Sequence, residues 1–127
     1  MSRITFLGHA SFQVNTPDGQ TVLVDPWFTD NPKLPADLKA NLHDDLILIT
    51  HGHDDHLDRN LRDLAAKTGA SIVAQAQVRF FLASQGVKNL EAMNKGGSIT
   101  VKGFKTTMTL AYHSRISRCP HRHGLFS

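Results

Sequence analysis

The stretch that most constrains this chain is an apolar run, Leu46-Ile47-Leu48-Ile49, that passes directly into Thr50-His51-Gly52-His53-Asp54-Asp55-His56-Leu57. Four consecutive large aliphatic residues bounded by polar ones read as a buried strand. A turn at the end of a strand can aim several side chains at one point, and Gly52 gives the backbone freedom for it. Imidazole nitrogens with a carboxylate are the ligand set that borderline cations such as zinc take. His51 and His53 stand two apart and can reach the same ion, while Asp55 and His56 lie past the bend, so the loop has room for two neighbouring ions. A merely solvated polar loop gives no reason to concentrate three histidines there.

The remaining elements are arranged around this loop. Ile4 and Phe6, then Phe12 and Val14, alternate with polar residues, and Pro17-Asp18-Gly19 is a turn before Thr21-Val22-Leu23-Val24, so the first quarter reads as a β-meander. Between its first two strands Gly8-His9-Ala10 presents an imidazole, either as a hydrogen-bonded structural group or beside the metal loop. Asp25 ends a strand before Pro26, which has no N–H to continue a ladder. Metal-bound histidines usually donate their second N–H to a carboxylate or carbonyl, and Asp25 is placed to be such a partner or to fix the loop.

Prolines 26, 32 and 35 make the segment from Trp27 to His43 an irregular loop with one helical turn near Ala36–Leu42. Trp27 and Phe28 either line a pocket under that loop or belong to the core. His43, Asp44 and Asp45 read as a solvated approach to the next strand. Leu57, Leu61, Leu64 and Ala65 recur at helical spacing, with Asp58 as N-cap and Gly69 as terminator. That helix starts at the metal loop, where its dipole favours negative charge. A short strand over Ala70–Ala74, a helix over Gln77–Gln85, a strand over Ser98–Val101 and a long strand over Phe104–Tyr112 follow, the last ending at His113.

The H-x-H-x-D-H pattern after a strand, here His51, His53, Asp55 and His56, resembles the signature of the metallo-β-lactamase superfamily. Leu7-Gly8-His9-Ala10-Ser11 and Val22-Leu23-Val24-Asp25-Pro26 are similar to the branch of small metal-dependent hydrolases around L-ascorbate-6-phosphate lactonase. The resemblance runs from Arg3 to Ser114. It implies an α/β (α+β) fold, the N-terminal half of an αββα sandwich, with a mostly antiparallel or mixed sheet and helices on one face. It implies a metal-dependent hydrolase in which His51, His53 and His113 bind one ion and Asp55 with His56 contributes to a second. Asp55 would also orient a metal-activated water against an ester, lactone or phosphodiester, and the family too has an acidic residue at Asp25. The cofactor is a divalent metal, zinc first, with manganese and iron also compatible. The complete family domain holds two ions; the ligands here amount to one full set of three histidines and two ligands for the other, so one ion is expected.

The chain divides at Ser114 into a family-like part, 1–114, and a tail, 115–127, that has no acidic residue and no helix or strand period. The tail reads as the product of a frameshift or a truncated reading, since the family's domain continues for about as long again. Cys119, His121 and His123 are zinc-type ligands, but their spacing matches no closed site. The formal charge of +3 belongs to this tail: Arg115, Arg118 and Arg122 carry it, which leaves 11 basic and 11 acidic residues in the rest. A neutral body lacks the basic stripe that tracks phosphates, so a small-molecule substrate is expected and nucleic acid is not. No apolar run is long enough to span a bilayer, and a single cysteine forms no internal disulfide, so a cytoplasmic protein without membrane contact is expected. A sheet covered by helices on one face must bury the other, and without a second sheet a homo-oligomer is one way to cover it, in a metal-binding half-domain without activity of its own.

Overall fold

A computed structural model describes residues 1–40 and 43–113 of the chain. Six strands form one sheet in chain order: β1 (Arg3–Gly8), β2 (Ser11–Asn15), β3 (Thr21–Val24), β4 (Leu46–Ile49), β5 (Ser71–Gln75) and β6 (Leu90–Met93). The first three pair antiparallel through tight turns, as the alternation predicts. From β3 onward every pair is parallel, so each connection must cross over the sheet. Three helices occur: α1 (Ala36–Ala40) in the loop after β3, α2 (Leu61–Thr68) between β4 and β5, and α3 (Ala76–Ser84) between β5 and β6. The sheet is therefore mixed, with α2 and α3 on one face. A separate hairpin, β7 (Ser98–Val101) and β8 (Phe104–Thr107), follows.

The register assigns the side chains to two faces. Leu23, Ile47, Ile72 and Ala74 point toward the helices and pack with Leu57, Leu61, Leu64, Val78 and Leu82 in the larger core cluster. Leu23, Ile47 and Ile72 have no exposed surface at all, a burial worth about 1.5–3 kcal/mol each. Val22, Leu46, Val73 and Met93 point the other way and meet the hairpin through Ile99, Val101, Phe104 and Met108. The hairpin does not reach β1 and β2. Ile4, Phe6 and Phe12 share that second face, since Phe6 is opposite Phe12 and Phe12 opposite Val24, and they are 69%, 58% and 37% exposed.

Several expected boundaries shift. The helix after the metal loop begins at Leu61 with Asn60 as its N-cap residue, four residues later than the apolar period suggests. Asp58 instead turns its carboxylate to the loop after β3, taking the N–H groups of Phe28 and Thr29 at 2.8 and 2.7 Å. Gly69 does end this helix, in the left-handed conformation, its N–H on the Ala65 carbonyl at 2.8 Å. The strand expected over Phe104–Tyr112 stops at Thr107, because its partner β7 ends opposite it at Ser98 and nothing further pairs with it. Leu110 and Tyr112 are consequently exposed. β6 was not expected: Leu90-Glu91-Ala92-Met93 has helix-forming residues and is recruited by the open edge of β5. Asp44, expected in a solvated approach, is 1% exposed. The end of the helical turn expected near Ala36–Leu42, and Cys119, His121 and His123, lie outside the described residues.

Candidate metal centre

Asp25 ties together the ends of β3 and β4. Its backbone N–H reaches the Leu48 carbonyl at 2.9 Å, and its side chain accepts the Thr50 N–H at 2.7 Å and the Thr50 hydroxyl at 2.5 Å. The same carboxylate lies 2.8 Å from His56 Nδ1. It is 3% exposed and sits at φ 45°, a region that costs a branched or bulky residue energy and persists only where the surroundings enforce it. Bonding Nδ1 to a carboxylate puts the proton there and leaves the lone pair of His56 Nε2 directed away, toward the loop's interior. Asp25 thus orients an imidazole; its own oxygens are already occupied.

Past Thr50 the chain turns through Gly52, and three imidazoles converge. His51 Nε2 lies 3.0 Å from His53 Nδ1, and His113 Nε2, from beyond the hairpin, lies 3.2 Å from the same atom. Ligand nitrogens around one tetrahedral zinc, at about 2.0–2.1 Å from it, stand about 3.3 Å apart, so this spacing fits a cation with little movement. Three neutral ring nitrogens cannot all satisfy one another by hydrogen bonds, which is a second sign that the pocket is shaped for a cation. Burial, and then the neighbouring His56, hold His51 below its ordinary value, keeping it in the neutral form that ligates. The other nitrogen of His53, Nε2, is buried without a hydrogen-bond partner.

His9 enters from the β1–β2 turn. Its Nε2 lies 2.6 Å from Asp55 Oδ2, and the same oxygen is 3.8 Å from His56 Nε2. The turn needs Gly8: at φ 98°, an added Cβ would stand 2.6 Å from Lys33 Cβ and 2.9 Å from its carbonyl carbon. Asn31 secures the same turn, donating to the Leu7, Gly8 and Trp27 carbonyls. Burial pushes the Asp55 carboxyl up, but hydrogen bonds from His9 and from its own backbone N–H, with the nearby His56, bring it below the usual range, so it is ionised at neutral pH. A depression of about 320 Å³ opens beside it, lined by Trp27, Thr29, Asp30, Asp54, Asp58 and Arg59. The two aromatic residues after β3 divide: Trp27 lines this depression with its ring 5.2 Å from that of His9, and Phe28 packs on the core.

All seven residues singled out in the sequence, His9, Asp25, His51, His53, Asp55, His56 and His113, are brought to one end of the sheet. Among the described residues, the donor atoms of His51, His53 and His113 lie within 4.8 Å of one another, as do those of His9, Asp55 and His56. Three supporting residues were not foreseen. Thr50 was legible as a polar residue at a strand end beside the histidines. Asn31 and Asp58 act on partners more than twenty residues away, and no local pattern marks them.

A family model for the beta-lactamase superfamily domain matches residues 3–125, past the Ser114 boundary that the composition suggests. A "UPF0173 metal-dependent hydrolase" of Rubrobacter xylanophilus is 44% identical over 113 residues, which are 89% of this chain and 46% of that protein. A protein of the same description from Methanopyrus kandleri is 44% identical over 112 residues, 88% of this chain and 47% of its own. The chain therefore spans about half the length of the curated relatives it matches. Among solved structures, the metallo hydrolase Igni18 of Ignicoccus hospitalis superposes with a TM-score of 0.75 at 26% identity, covering 91% of this chain and 51% of that one. With the matched model running over nearly its whole length, this chain belongs to the beta-lactamase superfamily.

Proposed function

We propose that this chain supplies the metal-binding half of a hydrolase that acts on a small ester, lactone or phosphodiester. The observation that carries the reading is the convergence of His51 Nε2, His53 Nδ1 and His113 Nε2 at 3.0–3.2 Å on one point. These three hold a first divalent cation, zinc by ligand type, and Asp55 with His56 faces a second. When bound, such a cation polarises the scissile oxygen and lowers the pKa of water toward 7, which provides a nucleophile at neutral pH. Asp55, ionised, orients that water and accepts its proton at a carboxylate oxygen. Asp25 keeps the Nε2 lone pair of His56 aimed inward, and Trp27 offers an apolar wall to the substrate. The relatives described as metal-dependent hydrolases support the same reading. An equal number of acidic and basic residues up to Ser114 argues for a small substrate over nucleic acid. No described helix is long and apolar enough to cross a membrane.

Elemental analysis of the chain, purified without a histidine tag, tests it. Bound zinc that is lost in His53→Ala, with weak hydrolysis of a nitrophenyl ester or phosphodiester lost in Asp55→Ala, is the expected result. Metal that survives His53→Ala would overturn it.

The uncovered apolar surface of Ile4, Phe6 and Phe12 favours a second reading, a non-catalytic metal-binding half-domain that covers this face by self-association. Metal binding without any turnover, in a chain that elutes as a dimer on size-exclusion chromatography, would select it.

A further inference from the structure

The sequence supplies three ligands for one ion and only two for another, yet the fold adds a third. His9 lies 46 residues before Asp55 in the chain and reaches it across the sheet end at 2.6 Å. We infer that His9, Asp55 and His56 form a second cation site carried wholly by this half of the relatives' length, with His9 Nε2, Asp55 Oδ2 and His56 Nε2 as its ligands. The inference rests on the proposed metal-dependent function and extends it to a residue outside the H-x-H-x-D-H loop.

Each ligand is prepared by something else in the fold. His56 has its Nδ1 tied to Asp25 at 2.8 Å, so Nε2 is the atom left for a metal. Asp55 is ionised. His9 is held on a left-handed residue, φ 59°, between Gly8, which leaves no room for a side chain against Lys33, and Ala10. A non-glycine residue in that conformation is costly, and such strain gathers where a side chain must be aimed. The three donor atoms lie within 4.8 Å of one another, and a cation with ligand distances of about 2.0–2.2 Å gathers them by a closure of roughly a few tenths of an ångström. On binding, the contact between His9 and Asp55 gives way to one bond from each to the cation. The side chains of His9 and Asp55 are 45% and 40% exposed, so the ion enters from solvent. Two imidazoles and one carboxylate suit zinc, manganese, iron or cobalt and leave positions open for water or substrate.

Equilibrium dialysis of the full untagged chain against zinc, followed by elemental analysis, reads the number of ions directly, with circular dichroism as the check on folding. The expected result is about two ions per chain, one in His9→Asn and one in His113→Ala. Asparagine is chosen because it tolerates the left-handed backbone. A measurement on the unaltered chain backs the variant: nitrogen NMR of the imidazoles, in which His9 Nε2 shifts with zinc alongside His56. One ion in the unaltered chain, lost in His113→Ala and kept in His9→Asn, overturns this inference while leaving the proposed function standing. Two ions that both survive His9→Asn, or a His9 resonance that zinc does not move, overturn it as well. No bound ion under any condition overturns both.

Discussion

The two faces of the sheet are built from the same strands and end in opposite states. Toward the helices, Leu23, Ile47 and Ile72 are sealed completely, because each parallel connection returns as a helix that lays its apolar side on the strands it joins. On the other side one short hairpin covers β3 to β6 and leaves Ile4, Phe6 and Phe12 in water. Closure by crossover is automatic in a parallel sheet, whereas the far face depends on whatever follows in the chain. The stability of this protein should therefore reside on the helix side and its stickiness on the other.

The largest effect that would break this comparison is in the sealed core. Ile47→Ala should cost about 2–5 kcal/mol, read as a lower midpoint in urea unfolding. Should Phe6→Ala cost as much, the exposed face is packed in solution and the contrast disappears.

Next comes a flaw on the sealed side, at the start of β4. Burial pushes the Asp44 carboxyl up from an ordinary value near 3.8 to about 6, against the opposing Thr68 hydroxyl and His43, and one of its oxygens has no partner. The native state therefore holds a proton that the unfolded chain releases at lower pH. Stability from this group is greatest below about pH 4, falls as pH rises from 4 to 6 and is flat above, a loss of up to about 3 kcal/mol. Asp44→Asn should remove that slope and raise stability at pH 8, as urea titrations at several pH values would show. An unchanged slope would place the pH dependence elsewhere.

The smallest effect on stability is expected at Phe6→Ser, within about 0.5 kcal/mol, as for a surface site. Its consequence appears instead in sedimentation or size-exclusion experiments, where self-association should decrease. Association that persists in Phe6→Ser would move the sticky surface to Leu110 and Tyr112.

Legibility followed range. The loop from His51 to His56 and the strand before it were readable because ligand chemistry and apolar burial are both written locally, and His113 and Asp25 because each ends a strand. His9 was left between two roles, since what decides it is Asp55, distant in sequence and near only after the β1–β2 turn meets the end of β4. The missed strand β6 and the overrun of β8 share a cause: whether a segment pairs depends on a free edge beside it, and Leu90–Met93 finds one where Thr109–Tyr112 does not. Asp58 passes as a helix cap in sequence, but three of its hydrogen bonds go to Phe28 and Thr29.

The bond from the Thr50 N–H to Asp25 Oδ1, 2.7 Å long, makes that one amide a clock for the whole centre. Thr50 lies at the surface, yet its proton can be traded for deuterium only when the carboxylate that also steers His56 lets go. Slow exchange there, at the pace of β4 itself, would mean that the ligands wait in position before any cation arrives, so that capture is limited by diffusion and dehydration of the ion rather than by rearrangement of the loop.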